Sequence, residues 1–281
     1  MLIPMTVLEV IQRSADFLAK KGVDSPRLQA ELLLAHILEV PRLKLYLEFE
    51  RALSDEQLDR MRALVKRRGE REPLQHIVGS TSFCGIEIAV TPAVLIPRPE
   101  TEILAETAWE YLNKRGGEPV VLDYGAGSGC IAIALAEHCP SAKIHAVDIS
   151  EEALAIARAN AAKYPITFHL GSGIPELPPL DLLVGNPPYI PSTEIATLQP
   201  EVSRFDPRQA LDGGPDGLNF YRRLAVEALP RMAPDGRIML EFGDGQESAL
   251  QQIFQTAWQI EQIKPDFSGK PRILVARRAK T

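Results

Sequence analysis

The stretch Pro119-Val120-Val121-Leu122-Asp123-Tyr124-Gly125-Ala126-Gly127-Ser128-Gly129-Cys130 decides the fold. A β-rich apolar run leads into glycines at alternate positions, and Ile131 to Glu137 leaves them with helical character. Glycines tolerate positive φ and let a ligand approach the backbone, and the helix start that follows presents unpaired N–H groups. The next apolar run, Lys143-Ile144-His145-Ala146-Val147-Asp148, ends in an acid suited to both hydroxyls of a ribose. That layout fits any adenosine-bearing cofactor, a nicotinamide dinucleotide included. Two details narrow the choice. The spacing is Gly-x-Gly-x-Gly, not Gly-x-Gly-x-x-Gly, and Asp123 precedes the loop. An acid there suits a cofactor bearing an ammonium group, as S-adenosylmethionine does, better than one bearing a pyrophosphate.

Outward from this stretch, strands and helices alternate. Strands are expected near 119–124, 143–148, 166–170 and 181–185, with helices near 129–138 and 151–163. Arg237-Ile238-Met239-Leu240-Glu241 is a further strand, and two more, near 259–264 and 272–277, flank a Pro/Gly-rich turn and suit an antiparallel edge. The pattern predicts an α/β fold with a doubly wound, mostly parallel, seven-stranded sheet of Rossmann-like type. In such sheets the ligand lies beyond the carboxyl ends of the strands, where their order reverses. With 119–124 and 181–185 as the neighbours at that point, the glycine loop and Asn186 face one crevice.

The strand Asp181-Leu182-Leu183-Val184-Gly185 ends abruptly in Asn186-Pro187-Pro188-Tyr189. This tetrapeptide suits methyl transfer to a planar, weakly nucleophilic nitrogen. Such a nitrogen attacks only when acceptors take its N–H hydrogens and a flat surface orients its plane. The Asn186 side-chain oxygen is one acceptor and the Pro187 carbonyl a second. Successive prolines have fixed φ and no N–H, so the frame is stiff and free of competing donors. Tyr189 supplies the flat face. The plain structural alternative is a Pro-Pro turn that ends the strand, with Tyr189 packing behind it.

The first 72 residues read as a small helical bundle. Thr6 with Glu9 makes a capping box ahead of Leu8, Ile11, Ala15 and Leu18, and Gly22 closes that helix. Ser25-Pro26 starts a second helix with an N-cap and a proline in its first turn. Ser54 with Gln57 caps a third that carries Leu58, Met61, Leu64 and Val65. Glu72-Pro73 breaks the pattern. From His76 to Thr91 the chain alternates in a β fashion around Gly79 and Gly85, which predicts a hairpin connector. Pro99-Glu100-Thr101 then opens a helix with Ile103, Leu104 and Trp109 on its buried side. The expected domains are a helical one over 1–72, a hairpin linker over 73–95 and a catalytic one over 96–281.

Composition bounds the rest. Hydrophobic content of 45% and charged content of 24% are ordinary for a globular protein. A net charge of −6 argues against broad affinity for nucleic acid, though not against a local basic patch. Cys84, Cys130 and Cys139 have no metal-ligand spacing, and their odd number fits a reducing compartment, so a cytoplasmic location is expected. The five histidines form no paired-ligand arrangement, and no metal is expected. No apolar run approaches the roughly 18 residues of a membrane span.

Several residues have competing readings. Asp148 either holds a ribose or caps the helix that starts at Ser150-Glu151-Glu152. Arg98 and Glu100 form a local ion pair or shape the substrate entrance. Arg60, Arg62, Lys66, Arg67, Arg68 and Arg71 read as a solvated helix face, with a partner surface as the alternative.

Taken together, these segments resemble the PrmC/HemK release-factor glutamine methyltransferases. The resemblance runs nearly the whole length of the chain. It rests on Glu72-Pro73-Leu74-Gln75, Leu95 to Glu102, Gly185 to Ile190, Asp206 to Leu211, Gly214 to Leu218, Leu240 to Gly243 and Asp266 to Arg272. It implies a class I methyltransferase fold with S-adenosylmethionine as donor, S-adenosylhomocysteine as product and no metal. The implied acceptor is the side-chain amide nitrogen (N5) of the glutamine in the Gly-Gly-Gln motif of class 1 peptide chain release factors. Carried onto this sequence, Gly125, Ala126, Gly127, Ser128 and Gly129 line the cofactor and Asp148 holds its ribose. Gly173 presents its N–H to the adenine, Asn186 touches both cofactor and substrate, and Pro187, Pro188 and Tyr189 complete the glutamine slot. The helical domain would dock the release factor, and the enzyme would act as a monomer without a membrane or nucleic-acid substrate. Two departures stand out: Tyr124 and Ser128 where Leu and Thr are common, and Gly171-Ser172-Gly173 where an acid and a larger residue usually meet the adenine. The rival readings are an adenine or guanine amino-methyltransferase acting on DNA or RNA and a non-catalytic adaptor that binds a translation factor.

Overall fold

Thr6 and Glu9 cap the first helix reciprocally: the Glu9 N–H donates to Thr6 Oγ1 at 3.4 Å and the Thr6 N–H to Glu9 Oε2 at 2.9 Å. The structure is a computed structural model that describes residues 5–279. It divides into two compact units, one made of the chain up to Gly79 with Gln199–Phe205, the other of Ser80–Leu198 and the chain from Asp206 onward.

The first unit is helical: α1 (Val7–Lys20), α2 (Pro26–Leu38), α3 (Arg42–Leu45), α4 (Asp55–Gly69) and α5 (Leu74–Val78). Ser54 and Gln57 form the second expected capping box. Val7, Ile11, Leu18, Leu33, Leu34, Leu45 and Met61 make its core, the period-3.6 apolar face that the sequence shows. Two expectations are corrected here. Ser25 lies in the left-handed region at φ 47° and its hydroxyl caps nothing; Pro26 has no N–H, so one donor fewer needs capping. His76 sits in α5, not in a hairpin strand, because Pro73 and Gly79 (φ 85°) bracket a single helical turn whose Ile77 is buried. The basic cluster on α4 also divides. Arg62 pairs with Asp59 at the surface, but Arg68 is only 3% exposed and donates to Glu201 Oε1 at 2.7 Å. Arg71 grips the same carboxylate with two nitrogens, at 2.7 and 2.6 Å.

The second unit begins with a hairpin, β1 (Ser80–Phe83) and β2 (Ile86–Ala89), around Cys84 and Gly85 at φ 49° and 76°. A two-residue turn with both φ positive matches the twist of the strands it joins. Then come α6 (Pro99–Arg115), β3 (Val120–Tyr124), α7 (Cys130–His138), β4 (Lys143–Asp148), α8 (Glu151–Asn160), β5 (Ile166–Leu170) and β6 (Leu180–Gly185). After α9 (Pro200–Phe205), which belongs to the helical unit, follow α10 (Arg208–Leu211), α11 (Asn219–Glu227), β7 (Met232–Glu241), α12 (Glu247–Phe254), β8 (Trp258–Pro265) and β9 (Pro271–Arg278). The seven strands run in the order β5-β4-β3-β6-β7-β9-β8, all parallel up to β7, with β9 antiparallel to both its neighbours. The expected doubly wound sheet is there, and the order reverses between β3 and β6. Apolar layers cover both faces, one including Leu104, Ile133, Leu135 and Val184, the other Tyr221, Phe242, Phe254 and Leu274. Among the described residues, no helix is long and apolar enough to cross a membrane.

Candidate active site

A cleft of about 360 Å³ opens beyond the carboxyl ends of β3, β4, β5 and β6, in the size range of small-molecule sites. The strand ends build its wall. Val147 O accepts the N–H groups of Gly125 (2.9 Å) and Ala126 (3.0 Å), which turns the chain sharply as it leaves β3. Gly125 and Gly127 have φ of 78° and 53°, and a Cβ on either would meet nothing within 4 Å. The loop therefore shows bare backbone to the cleft, where a ligand can lie against it. Asn160 Nδ2 braces it from behind by donating to Ser128 O at 2.9 Å.

Asp148, at the end of β4, lines the cleft. Its Oδ2 accepts the Gly127 N–H at 2.8 Å and its Oδ1 the Ser150 N–H at 2.9 Å, while Ser150 Oγ caps α8 by accepting from Ala153 N. The carboxylate thus ties the glycine loop to the next helix start, and each oxygen keeps acceptor capacity for a hydroxyl. Asp123 has a further role that the sequence does not show. It is wholly buried, and its Oδ2 accepts the Ala132 N–H at 3.0 Å in the first turn of α7. The N-cap of that helix, Gly129, has no side chain to do this. Asp123 Oδ2 therefore does the work of a cap, while its Oδ1 is buried without a hydrogen-bond partner. Burial pushes its carboxyl up to about 7.

Of the residues singled out in the sequence, the cleft brings together Gly125, Gly127, Asp148, Asn186 and Pro188. Ala126 and Ser128 are buried behind the loop, Gly129 starts α7, and Pro187 and Tyr189 are not among the residues that line the cleft. On the β5 side Gly171 and Ser172 line it, Gly173 does not. Tyr124 explains part of this corner: its hydroxyl donates to Ser172 O at 2.6 Å. Arg223 donates to the same carbonyl, with its guanidinium 5.6 Å from the Tyr124 ring centroid and 5.5 Å from that of Phe220.

The turn after β6 is held from several sides. Ile190 N donates to Leu211 O at 3.0 Å, and Gly213 N to Ile190 O at 2.9 Å. Gln246 Nε2 donates to Tyr189 O at 2.9 Å. Asn186 Nδ2 donates to Thr101 Oγ1 at 3.1 Å, so the carboxamide oxygen is left as the acceptor. Arg98 pairs with Asp206 at 2.5 Å, not with Glu100. That bond joins the segment before α6 to the one before α10, whose Gln209 and Ala210 line the cleft. Sequence reasoning missed Thr101, Glu241, Phe220 and Arg223. The first two stand inside family-like segments, which was their one visible signal. Among the described residues, no three His, Cys, Asp or Glu side chains gather as a metal-binding group.

The arrangement fits an adenosine-bearing sulfonium donor: bare glycine backbone, a strand-end carboxylate and an amide acceptor share one cleft. Comparison with known proteins agrees. Residues 9–79 match the PrmC N-terminal domain and residues 101–199 the methyltransferase small domain. The chain is 44% identical over 253 residues to the release factor glutamine methyltransferase of Geobacter sulfurreducens, covering 89% of this chain and 88% of that protein. It is 39% identical over 281 residues to that of Chlorobaculum tepidum, covering 95% of each. A crystal structure of a ribosomal protein L11 methylase from Lactobacillus delbrueckii subsp. bulgaricus shares the fold, with a TM-score of 0.50 and 22% identity over 69% of this chain and 86% of that one.

Proposed function

The chain belongs to the release factor glutamine methyltransferase family, and from that membership we propose that it methylates the side-chain amide nitrogen of the glutamine in the Gly-Gly-Gln motif of class 1 peptide chain release factors. The observation that carries the mechanism is the position of Asn186, at the switch point of the sheet with its NH₂ group turned back to Thr101. S-adenosylmethionine, held against Gly125, Gly127 and Asp148, supplies an electrophilic methyl carbon when bound. The protein's own work is to prepare the nitrogen. Asn186 Oδ1 and the Pro187 carbonyl accept the two amide hydrogens, and Tyr189 supports the plane of the amide. As positive charge grows on that nitrogen both hydrogen bonds strengthen, so they stabilise the transition state more than the ground state. Orientation does the remainder, since attack requires the nitrogen lone pair to be aligned.

Pro187 and Pro188 serve this reading by stiffness: neither has an N–H that would compete for the substrate oxygen. Three free thiols support a reducing, cytoplasmic setting, and the enzyme is taken to act as a monomer. The helical unit would dock the release factor. Arg68 and Arg71 are engaged within that unit by Glu201, which ties up both guanidinium groups and lowers the net charge they could offer a nucleic acid. Tritium transfer from labelled S-adenosylmethionine to a purified class 1 release factor, with mass mapping of the modified residue, tests the function. Methylated glutamine supports it. Label on nucleic acid alone, or on neither substrate, overturns it.

A further inference from the structure

Asn186 follows the last residue of β6, and the β6–β7 register, which sets Gly185 beside Leu240, brings Glu241 alongside it. Thr101, in the first turn of α6, lies between them. Asn186 Nδ2 donates to Thr101 Oγ1 at 3.1 Å, and the Thr101 hydroxyl donates to Glu241 Oε2 at 2.7 Å. Thr101 and Glu241 are 3% and 2% exposed, so the chain of bonds is shielded from water. Tyr221 fixes its far end by donating to the Glu241 main-chain oxygen at 2.7 Å.

This relay has a direction. When ionised, Glu241 only accepts, and a threonine hydroxyl has a single hydrogen to give; burial raises that carboxyl to about 7, so the direction is fully set above that pH. Once Glu241 takes that hydrogen, Thr101 Oγ1 has only lone pairs to offer. The Asn186 carboxamide must then turn its NH₂ toward Thr101. Its oxygen is thereby committed to the other side. An asparagine without such a partner turns readily about its last torsion, a broad and roughly two-fold one, and would present NH₂ as often as oxygen. An NH₂ facing the NH₂ of a substrate amide offers no acceptor.

We infer that Thr101 and Glu241 are positioning residues for methyl transfer, fixing the Asn186 carboxamide so that its oxygen meets the substrate nitrogen. The inference rests on the reading of Asn186 as that acceptor. It assigns a role to two buried polar side chains that no packing argument explains, drawn from α6 and β7 and meeting at the end of β6. The first turn of α6 is also a favourable place for a carboxylate, because its N–H groups bear partial positive charge.

The test compares Thr101→Val with Thr101→Ser in the full-length enzyme, reading kcat and KM for a purified release factor by tritium transfer and cofactor Kd by calorimetry. Val keeps the shape and loses the hydroxyl; Ser keeps the hydroxyl. Thr101→Val is expected to lose about tenfold or more in kcat, the scale of one preorganised contact made indirectly, with cofactor Kd within about twofold. Thr101→Ser is expected to recover kcat to within about threefold of wild type. Undiminished kcat in Thr101→Val, or equal loss in both variants, overturns the inference. Should Thr101→Val fail to bind cofactor, Glu241→Gln and Glu241→Met decide. Gln retains an acceptor oxygen and should keep most of kcat, whereas Met should lose about tenfold; equal loss in both overturns the relay. Absence of glutamine labelling by the wild-type enzyme refutes the functional reading and the relay's role with it. Normal wild-type labelling with an unimpaired Thr101→Val refutes the relay alone.

Discussion

The carboxylate of Asp148 reaches across the glycine loop to accept the Gly127 N–H at 2.8 Å, with its other oxygen on the Ser150 N–H at 2.9 Å. One side chain thus shapes the backbone that a ligand would lie on and also offers that ligand its acceptors. Asp148→Ala removes both contributions. Charge-assisted hydrogen bonds are worth about 1.5–3 kcal/mol each, so the Kd for S-adenosylhomocysteine should rise at least about tenfold, and Asp148→Asn, with one acceptor left, should fall between. Calorimetric titration checks this. A wild-type Kd in Asp148→Ala would return Asp148 to the role of a helix cap.

Asn186→Ala separates binding from chemistry. Asn186 lines the cleft beside Pro188, but its proposed work is on the substrate nitrogen. Removing one preorganised acceptor costs about 10²–10³ in rate, with cofactor affinity largely kept. Near-normal turnover in a purified-component assay rejects the role.

Glu201 stands in the helical unit as the shared partner of Arg68 and Arg71, whose side chains are 4% and 19% exposed. The arginines hold its carboxyl below the usual range although burial opposes this. Breaking a buried pair leaves an uncompensated charge and costs about 3–5 kcal/mol. Glu201→Ala should therefore lower the stability of the helical unit, followed by denaturant unfolding, far more than Asp59→Ala, which frees only the exposed Arg62. Similar effects in the two variants would show that the buried pair contributes no more than a surface one.

The parts of this molecule that were legible in its sequence are those set by local chemistry. Thr6–Glu9 and Ser54–Gln57 read as capping boxes because both partners lie within one turn. The sheet read correctly because apolar runs and helical runs alternate, and a parallel sheet is the arrangement that buries both. What was not legible depends on pairs far apart in the chain. Arg98 and Asp206 are 108 residues apart, Thr101 and Glu241 140, Arg68 and Glu201 133. Asp123 was legible only in part for the same reason: its position beside the glycines suggests a ligand, and nothing in the sequence shows that one of its oxygens accepts the N–H of Ala132. Likewise His76 looked β-like by alternation because a five-residue helix is too short to show its own period.

Asp123 gives the pH dependence a sign. Its carboxyl would titrate near 3.8 in an unfolded chain, and burial raises it to about 7 in the native one, with the charge of Asp148 acting in the same direction. Between those values the native state keeps a proton that the unfolded state has released. Stability therefore falls as pH rises through that window and levels off above about 7. Glu241 adds a change of the same sign between 4.5 and about 7, chiefly through burial. Asp206, raised from 3.8 to about 6 chiefly by burial, acts in the same direction; Asp123→Asn removes one of these three titrations, and its unfolding free energy should decline less steeply across the window than that of the wild type. Parallel curves would place the titration on other groups.

Gly217 controls the Tyr189 turn from outside the cleft. It has φ +75°, and a Cβ there would stand 2.2 Å from Tyr189 O and 2.7 Å from Gln246 Nε2, the donor that holds that oxygen. Gly245 offers the matched control, with φ +78° and nothing within 4 Å of its would-be Cβ. Both Gly→Ala changes force an alanine into the left-handed region, at about 1–2 kcal/mol. Only Gly217→Ala also drives a methyl group into the carbonyl of Tyr189, the residue proposed to support the substrate amide. Both variants should lose stability from backbone strain, Gly217→Ala the more because of its clash with Tyr189 O, while kcat for the release factor, measured on folded enzyme, falls about tenfold or more in Gly217→Ala alone, the scale set by disturbing one positioned contact. Thermal unfolding read beside steady-state kinetics checks the pair. Equal activity in the two would mean that the placement of Tyr189 does not limit transfer.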